Sequence, residues 1–365
     1  MTDKLAVVLL FGGRSSEHSI SCATAGGVLA AIDRDRYDVI PVGITRDGAF
    51  VLERDDAEAF TLNPDALPSV TDNGTRVRWP ETATSRELTV READGTERSL
   101  GAVDVIFPIL HGPYGEDGTI QGLLELIDLP FVGSGVLASA LGMDKHFTKT
   151  VLQAAGIEVA PWLTVTSGDW QRGRELWRTR VMGLGLPAFV KPARAGSSVG
   201  VSRVDDWNQL DEALAIAFAE DDKVLIEQAI VGREIECGVL QSRDGGAPRV
   251  SVAGEVRVTG RDFYDFAAKY LDAPGIELVC PAELNEGELR EMQRIAARAF
   301  EAIGAEGLAR VDFFLTPTGF IVNEVNTMPG FTPISMFPKC WQASGLEYPR
   351  LIDELIESAL ASRGR

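Results

Sequence analysis

Apolar residues along this chain fall into short unbroken runs, divided by stretches with helical periodicity. Leu5 to Leu10 is continuous, ends in Gly12-Gly13, and leads into a helical pattern that reaches about Ile32. Strand, glycine turn and helix in that order open a Rossmann-like α/β unit. The pattern repeats further on: Val103 to Leu110 predicts a buried strand, and Ile120 to Ile127 a helix. Phe131 to Gly135 reads as a short strand and turn, followed by a helix through Met143-Asp144-Lys145 to Ala155. Phe189 to Val201 reads as strand, small-residue loop, strand. Asp205 to Glu220 is helical, and Val224 to Ile230 is a strand in which Glu227 interrupts the apolar run. Glu286 to Gly304 is amphipathic, with Leu289, Met292, Ile295 and Phe300 on one face. Two apolar runs then flank Thr316-Pro-Thr-Gly319, which predicts a β-hairpin across residues 309–326. Tyr348 to Ala361 predicts a closing helix. Residues 44–100 are more polar and less periodic, apart from a hairpin signal at Asp94-Gly95.

Composition narrows the class. The 365 residues are 45% hydrophobic, enough for two or three cored domains. No apolar run nears the ~18 residues of a membrane span, and no signal peptide is expected. The four cysteines (Cys22, Cys237, Cys280, Cys340) are scattered without CxxC spacing, which suggests reduced thiols in a cytoplasmic protein and no zinc site. A formal charge of −19 argues against nucleic acid or an anionic membrane as partner. An anionic substrate would then need cations placed for it, and lysine is scarce.

The hairpin carries the most chemistry. Asp312 lies on its first strand; Glu324 and Asn326 lie two residues apart on the second and share a face. Two carboxylates and an amide oxygen make an all-oxygen site suited to Mg²⁺. The plainer reading is a hairpin with one solvated face. Glu17 sits near a helix start, where a carboxylate is also favoured by the dipole alone. His111 stands at the carboxyl end of a predicted strand, the edge where α/β proteins bind ligands. The loop Ala193 to Gly200, with Ser197 and Ser198, could bend over phosphates, and Lys191 just before it could meet their charge. Flexible hairpin loops look similar. Glu227 and Glu234 frame a strand that could wall a flat heterocycle, or they are simply solvated strand ends. Arg261 to Tyr270 is aromatic-rich and reads as a lid or as a packed surface turn.

In order, the motifs are Phe-Gly-Gly-Arg-Ser-Ser-Glu17-His-Ser, Leu-His111-Gly-Pro-Tyr-Gly-Glu-Asp-Gly, Gly-Met-Asp-Lys145, Val-Lys191-Pro-Ala-Arg-Ala-Gly-Ser-Ser-Val-Gly, Phe-Tyr-Asp-Phe-Ala-Ala-Lys269-Tyr270, Arg310-Val-Asp312 and Asn-Glu324-Val-Asn326-Thr-Met-Pro-Gly330. Together they resemble the D-alanine–D-alanine ligases of the ATP-grasp superfamily, over nearly the whole chain apart from residues 44–100. The resemblance implies mixed α/β and α+β architecture: a Rossmann-like N-terminal domain (1–134) followed by a two-part ATP-grasp fold (135–226 and 227–365). It implies ATP and two Mg²⁺ ions, with Mn²⁺ as a substitute, and a homodimer serving peptidoglycan synthesis.

The resemblance also distributes roles. Lys145, Lys191, Ser198 and Lys269 fall on the ATP phosphates, and Glu227, Ala229, Ile230 and Glu234 around adenosine. Asp312, Glu324 and Asn326 become the metal ligands. Glu17 would hold the ammonium of the first D-alanine with His111 nearby, while Ser197 and Tyr270 link to Glu17 and close the lid. Arg310 and the Gly330 N–H would face the reacting carboxyl, and Ser335 the carboxylate of the second amino acid. Family members that make D-alanyl-D-lactate tend to lack the lid tyrosine, so Tyr270 implies a dipeptide product and sensitivity to D-cycloserine. The alternatives are a D-alanine–D-lactate ligase, another ATP-grasp carboxylate–amine ligase and a catalytically inactive ATP-binding regulator. A nucleotide-cofactor oxidoreductase is disfavoured by the missing GxGxxG.

Overall fold

The structure, a computed structural model, describes residues 4–63, 65–258 and 275–362. The first sheet comprises β1 (Leu5–Gly12), β2 (Tyr37–Ile44), β3 (Phe50–Leu52) and β7 (Val105–Pro108), in the order β3-β2-β1-β7. β1 pairs in parallel with β2 and β7. Val7 to Phe11 are fully buried, which is why that run shows no alternation. α1 (His18–Ala31) connects β1 to β2. The polar region forms an antiparallel sheet of β4 (Arg76–Arg78), β5 (Glu87–Arg91) and β6 (Glu97–Ala102), which turns at Gly95 with φ +88°.

Two antiparallel sheets follow. One holds β8 (Trp162–Thr166), β9 (Ala188–Pro192), β10 (Ser202–Val204) and β11 (Lys223–Gln228), ordered β10-β9-β11-β8. The other holds β12 (Arg233–Leu240), β13 (Arg249–Val258), β14 (Ile276–Val279), β15 (Leu308–Thr316) and β16 (Gly319–Asn326), ordered β14-β13-β12-β15-β16. The helices are α2 (Thr119–Leu126), α3 (Val136–Met143), α4 (Lys145–Ala154), α5 (Ser167–Met182), α6 (Leu210–Glu220), α7 (Glu286–Ala302), α8 (Met336–Ala343) and α9 (Tyr348–Ser362). Among the described residues no helix is long and apolar enough to cross a membrane.

Two departures from the pattern have local causes. The single helix expected up to Ala155 is two helices, α3 and α4. Asp144 between them is extended (φ −94°, ψ 101°), and its carboxylate accepts from the N–H groups of His146 and Phe147. The hairpin is where the pattern placed it, but the register shifts between Asp312 and Phe313, leaving Asn323 unpaired on β16. Phe320 and Val322 are buried upstream of that bulge and Val325 downstream, so the bulge moves Glu324 and Asn326 off the core face. Phe131 makes one bridge to Ile106 rather than a strand. Tyr270 and Lys269 lie outside the described residues.

The C-terminal helices close back onto the first sheet. Phe331, Phe337 and Trp341, together with Leu351 and Leu355 of α9, share one core with Val7, Phe11 and Phe107. The Phe107 and Phe331 rings meet edge to face at 5.8 Å. This packing brings the loop before α8 beside α1: a Cβ on Gly27 would stand 2.9 Å from Pro333. α8 itself lies close on β12, where a Cβ on Gly238 would fall 2.4 Å from the Trp341 ring nitrogen and 3.0 Å from Phe337. Gly238→Ala should therefore destabilise the fold by about 1–3 kcal/mol, the usual range for an overpacked core. Urea denaturation at unchanged slope would measure it, and a wild-type midpoint would contradict this packing.

Candidate active site

A cavity of about 1030 Å³ opens where the first sheet, the small-residue loop and the β15–β16 hairpin meet, and Glu17, His111, Ser197, Arg310, Glu324, Asn326, Gly330 and Ser335 all line it. They arrive from several separate elements. Glu17 precedes α1 but makes no side-chain cap there. Its carboxylate is buried and accepts a hydrogen bond from the Ser197 hydroxyl. Ser15 holds this corner together: its hydroxyl donates to the His111 carbonyl at 2.6 Å and accepts from the Glu17 N–H at 3.2 Å. The helix-dipole reading of Glu17 thus gives way to a tertiary one.

His111 is buried, and its Nδ1 lies 3.2 Å from the Met328 carbonyl. A carbonyl only accepts, so Nδ1 carries the proton and Nε2 is left as an acceptor. Burial lowers the His111 pKa, with Glu17 opposing, so the ring is neutral near pH 7.

The hairpin residues face one another as expected. Asp312 is the register partner of Glu324, and Arg310 of Asn326. Arg310 donates to both oxygens of Asp312, at 2.7 and 2.8 Å, and stands 3.1 Å from Glu236. The Asn326 amide donates to Asp312 at 3.0 Å. Lys145 reaches Glu324 at 3.1 Å and donates to the Ala195 carbonyl at 2.8 Å. Burial would lower the Lys145 pKa, but Glu324, Glu227 and Glu116 outweigh it and raise it. Two carboxylates and an amide at the end of a hairpin fit a hard divalent cation, with further oxygens coming from a phosphate ligand. Among the described residues no three acidic, histidine or cysteine side chains cluster as a complete metal cage.

Glu227, Lys191, Ala229, Ile230, Glu234 and Ser198 are not among the residues that line this cavity. Glu227 is buried between Lys149 at 3.1 Å and Lys191 at 2.5 Å. Burial pushes its pKa up, but the two ammonium groups win and hold it low. Burial lowers the pKa of Lys149. The Ala229 N–H donates to the Pro187 carbonyl, and Ile230 follows it beyond the end of β11. Glu234 lies near the start of β12, in register with Phe314 of β15. Ser197 and Ser198 both have positive φ, 50° and 60°, so the loop bends sharply at these residues.

Three acidic or basic groups here escaped the sequence reading. Glu116 lies in a quoted motif without a role, yet its carboxylate accepts from the Gly112 N–H at 2.7 Å. Burial and then the charge of Glu17 push its pKa up to about 8. Lys149 is one helical turn after Lys145, the only sequence hint that both point the same way. Glu236 is in register with Asp312 across β12 and β15, a relation no local pattern shows.

A Rossmann-like sheet joined to two small antiparallel layers that enclose a charged cleft is the architecture of ATP-grasp ligases. The family model described as "D-ala D-ala ligase N-terminus" matches residues 6–134, and "D-ala D-ala ligase C-terminus" matches 151–357. A D-alanine–D-alanine ligase of Paenarthrobacter aurescens is 53% identical over 366 residues, covering 100% of this chain and 97% of that one. The solved D-alanine–D-alanine ligase of Coxiella burnetii superposes with TM-score 0.80 at 36% identity, covering 99% and 96% of the two chains. The VanG D-Ala:D-Ser ligase of Enterococcus faecalis gives 0.83 at 31% identity, covering 98% and 100%. The chain belongs to the D-alanine–D-alanine ligase family, whose members are ATP-dependent ligases that use a divalent metal.

Glu116 yields a pH prediction. Its folded pKa of about 8 exceeds the ordinary 4.5, so the folded state holds a proton that the unfolded state has released between those values. Its contribution to stability is full below the lower value and fades as pH rises to the upper one. Glu116→Gln, which keeps the acceptor for Gly112, should gain melting temperature on wild type as pH rises from about 5 to about 8.5. A constant offset across that range would contradict the raised pKa.

Proposed function

We propose that this cavity joins two D-alanines with ATP, through an acyl phosphate, to give D-alanyl-D-alanine, ADP and phosphate for peptidoglycan precursors. The observation that supports it best is the placing of Glu17 and Arg310 in one cavity. Among the described residues the Glu17 carboxylate has a hydroxyl partner and no cation, which suits a ligand bearing an ammonium group. A first D-alanine held there turns its carboxyl toward Arg310 and the Gly330 N–H, while Ser335 receives the carboxylate of the second.

A carboxylate is a poor electrophile. Transfer of the γ-phosphoryl group onto it makes the carbonyl carbon open to attack by the second amine, and phosphate then leaves. Lys145, Lys191 and Ser198 are assigned to the triphosphate, Lys269 as well, and Glu227, Ala229, Ile230 and Glu234 to adenosine. Glu227, locked between two lysines, orients Lys191 for that task. Asp312, Glu324 and Asn326 would hold two Mg²⁺ ions, or Mn²⁺ in their place, and such ions neutralise charge developing on the phosphoryl oxygens. Arg310 and the Gly330 N–H stabilise the tetrahedral oxyanion. Ser197 ties the small-residue loop to Glu17, and Tyr270 is assigned to the same linkage. The three-part division at about residues 134 and 226 and a homodimeric assembly belong to the same reading.

Phosphate release from ATP should depend on D-alanine and be absent with L-alanine. Release independent of any amino acid would overturn the reading. Arg310→Ala should raise the barrier by roughly 3–4 kcal/mol, the scale of a lost oxyanion donor; near wild-type turnover would remove Arg310 from that role. With Tyr270 present, D-lactate and D-serine should be poorer second substrates than D-alanine. Product analysis by mass would decide, and preferential formation of the depsipeptide would favour a D-lactate ligase.

A further inference from the structure

Cys280 and Cys340 are remote in sequence, yet their sulfurs stand 3.8 Å apart. Cys280 follows β14 directly and is half-buried; Cys340 lies in α8 and is fully buried. Both also lean on backbone carbonyls, Cys280 on Ala253 at 4.0 Å and Cys340 on Glu236 at 3.9 Å. Around them pack Val256 and Met336, with Ile276 and Leu278 at the edge. The pair therefore joins two walls of the cavity. Ile276, Glu277 and Leu278 line it from β14, and Ser335, Met336 and Lys339 line it from the start of α8.

We propose that Cys280 and Cys340 form a reversible disulfide on exposure to hydrogen peroxide, and that this crosslink impairs binding at the Ser335 end of the cavity. A disulfide needs the sulfurs, now 3.8 Å apart, to close to about 2.05 Å. Cys280, the more accessible sulfur, loses its proton, and its thiolate attacks one peroxide oxygen. The O–O bond breaks, giving a sulfenic acid and hydroxide, which takes up the released proton as water. The Cys340 sulfur then attacks the sulfenic sulfur; the S–O bond breaks, and the departing hydroxide takes the Cys340 proton. Two thiols and one peroxide become one disulfide and two waters. Contact with Cys340 lowers the Cys280 pKa, burial opposes this, and Lys339 adds to the lowering. Its greater exposure makes Cys280 the attacking sulfur, and buried Cys340 the resolving one.

The functional half of this inference rests on the assignment of Ser335 above; the chemical half does not. Full-length reduced protein would be treated with hydrogen peroxide, digested without reductant and mapped by mass spectrometry. The expected result is one Cys280–Cys340 peptide and loss of two of the four thiols. kcat/KM for D-alanine should fall by tenfold or so, about the scale of a slightly misplaced substrate group, and return with dithiothreitol. Cys280→Ser should keep basal activity, form no crosslink and resist peroxide. A crosslink through Cys237, persistence of all thiols, or unchanged activity in fully crosslinked protein would each overturn the proposal. If reduced protein turned over no D-alanine while the crosslink still formed, the functional reading would fail and the thiol chemistry would stand.

Discussion

Neutralising buried carboxylates is the constraint on which this structure turns. The chain carries a net charge of −19, yet it gathers Glu17, Glu116, Glu236 and Glu324 around one cavity, pairs Asp312 in register with Glu324 on the hairpin, and sets Glu227 between two lysines. Bringing such charges together out of water is costly unless each one meets a cation, a hydrogen-bond donor or a proton. Arg310 serves Asp312 and Glu236, Lys145 serves Glu324, and Lys149 and Lys191 share Glu227. Glu116 takes the other route and holds its proton. The scarcity of lysine sharpens the point, since three of the seven lysines in the chain are committed to these acids. Removing Lys145 or Arg310 would strand a charge rather than merely delete a contact.

That network also explains what the sequence could and could not disclose. The parallel strand Leu5–Gly12, the β15–β16 hairpin and the amphipathic α7 were legible because burial alone dictates their patterns. The hidden features depend on single residues acting at a distance. Asp144 splits a helix because its side chain caps the next one and also meets Lys223 at 2.5 Å. Asn323 sits unpaired, and nothing in Phe-Ile-Val-Asn-Glu-Val-Asn announces the bulge. α5 is too polar along its length to show a clear apolar stripe. Lys149 and Glu236 owe their importance to partners on other elements, which no window of neighbouring residues contains.

The bulge shows how a minor backbone irregularity serves the chemistry. Strand side chains alternate strictly, so a regular β16 with Phe320 and Val322 in the core would put Glu324 there too. One extra residue restores Val325 to the core and frees Glu324 and Asn326 for the cavity. The hairpin can then be apolar enough to fold and still present three oxygen-bearing side chains on its other face.

Glu17 extends the same logic from one strand to the whole molecule. Its carboxylate meets Ser197, 180 residues away, so the corner exists only when the first sheet and the small-residue loop are in place together. The fit leaves no room for side chains: a Cβ on Gly112 or on Gly196 would stand 2.9 Å from Glu17 Oε2. Gly112 also has φ +72°, a conformation that other residues adopt only with strain. Two glycines from separate motifs are thus required by one buried carboxylate, and the serine between Gly196 and Ser198 supplies its hydrogen bond. The motifs that looked independent along the chain are parts of a single contact, which is why they carry meaning only in combination.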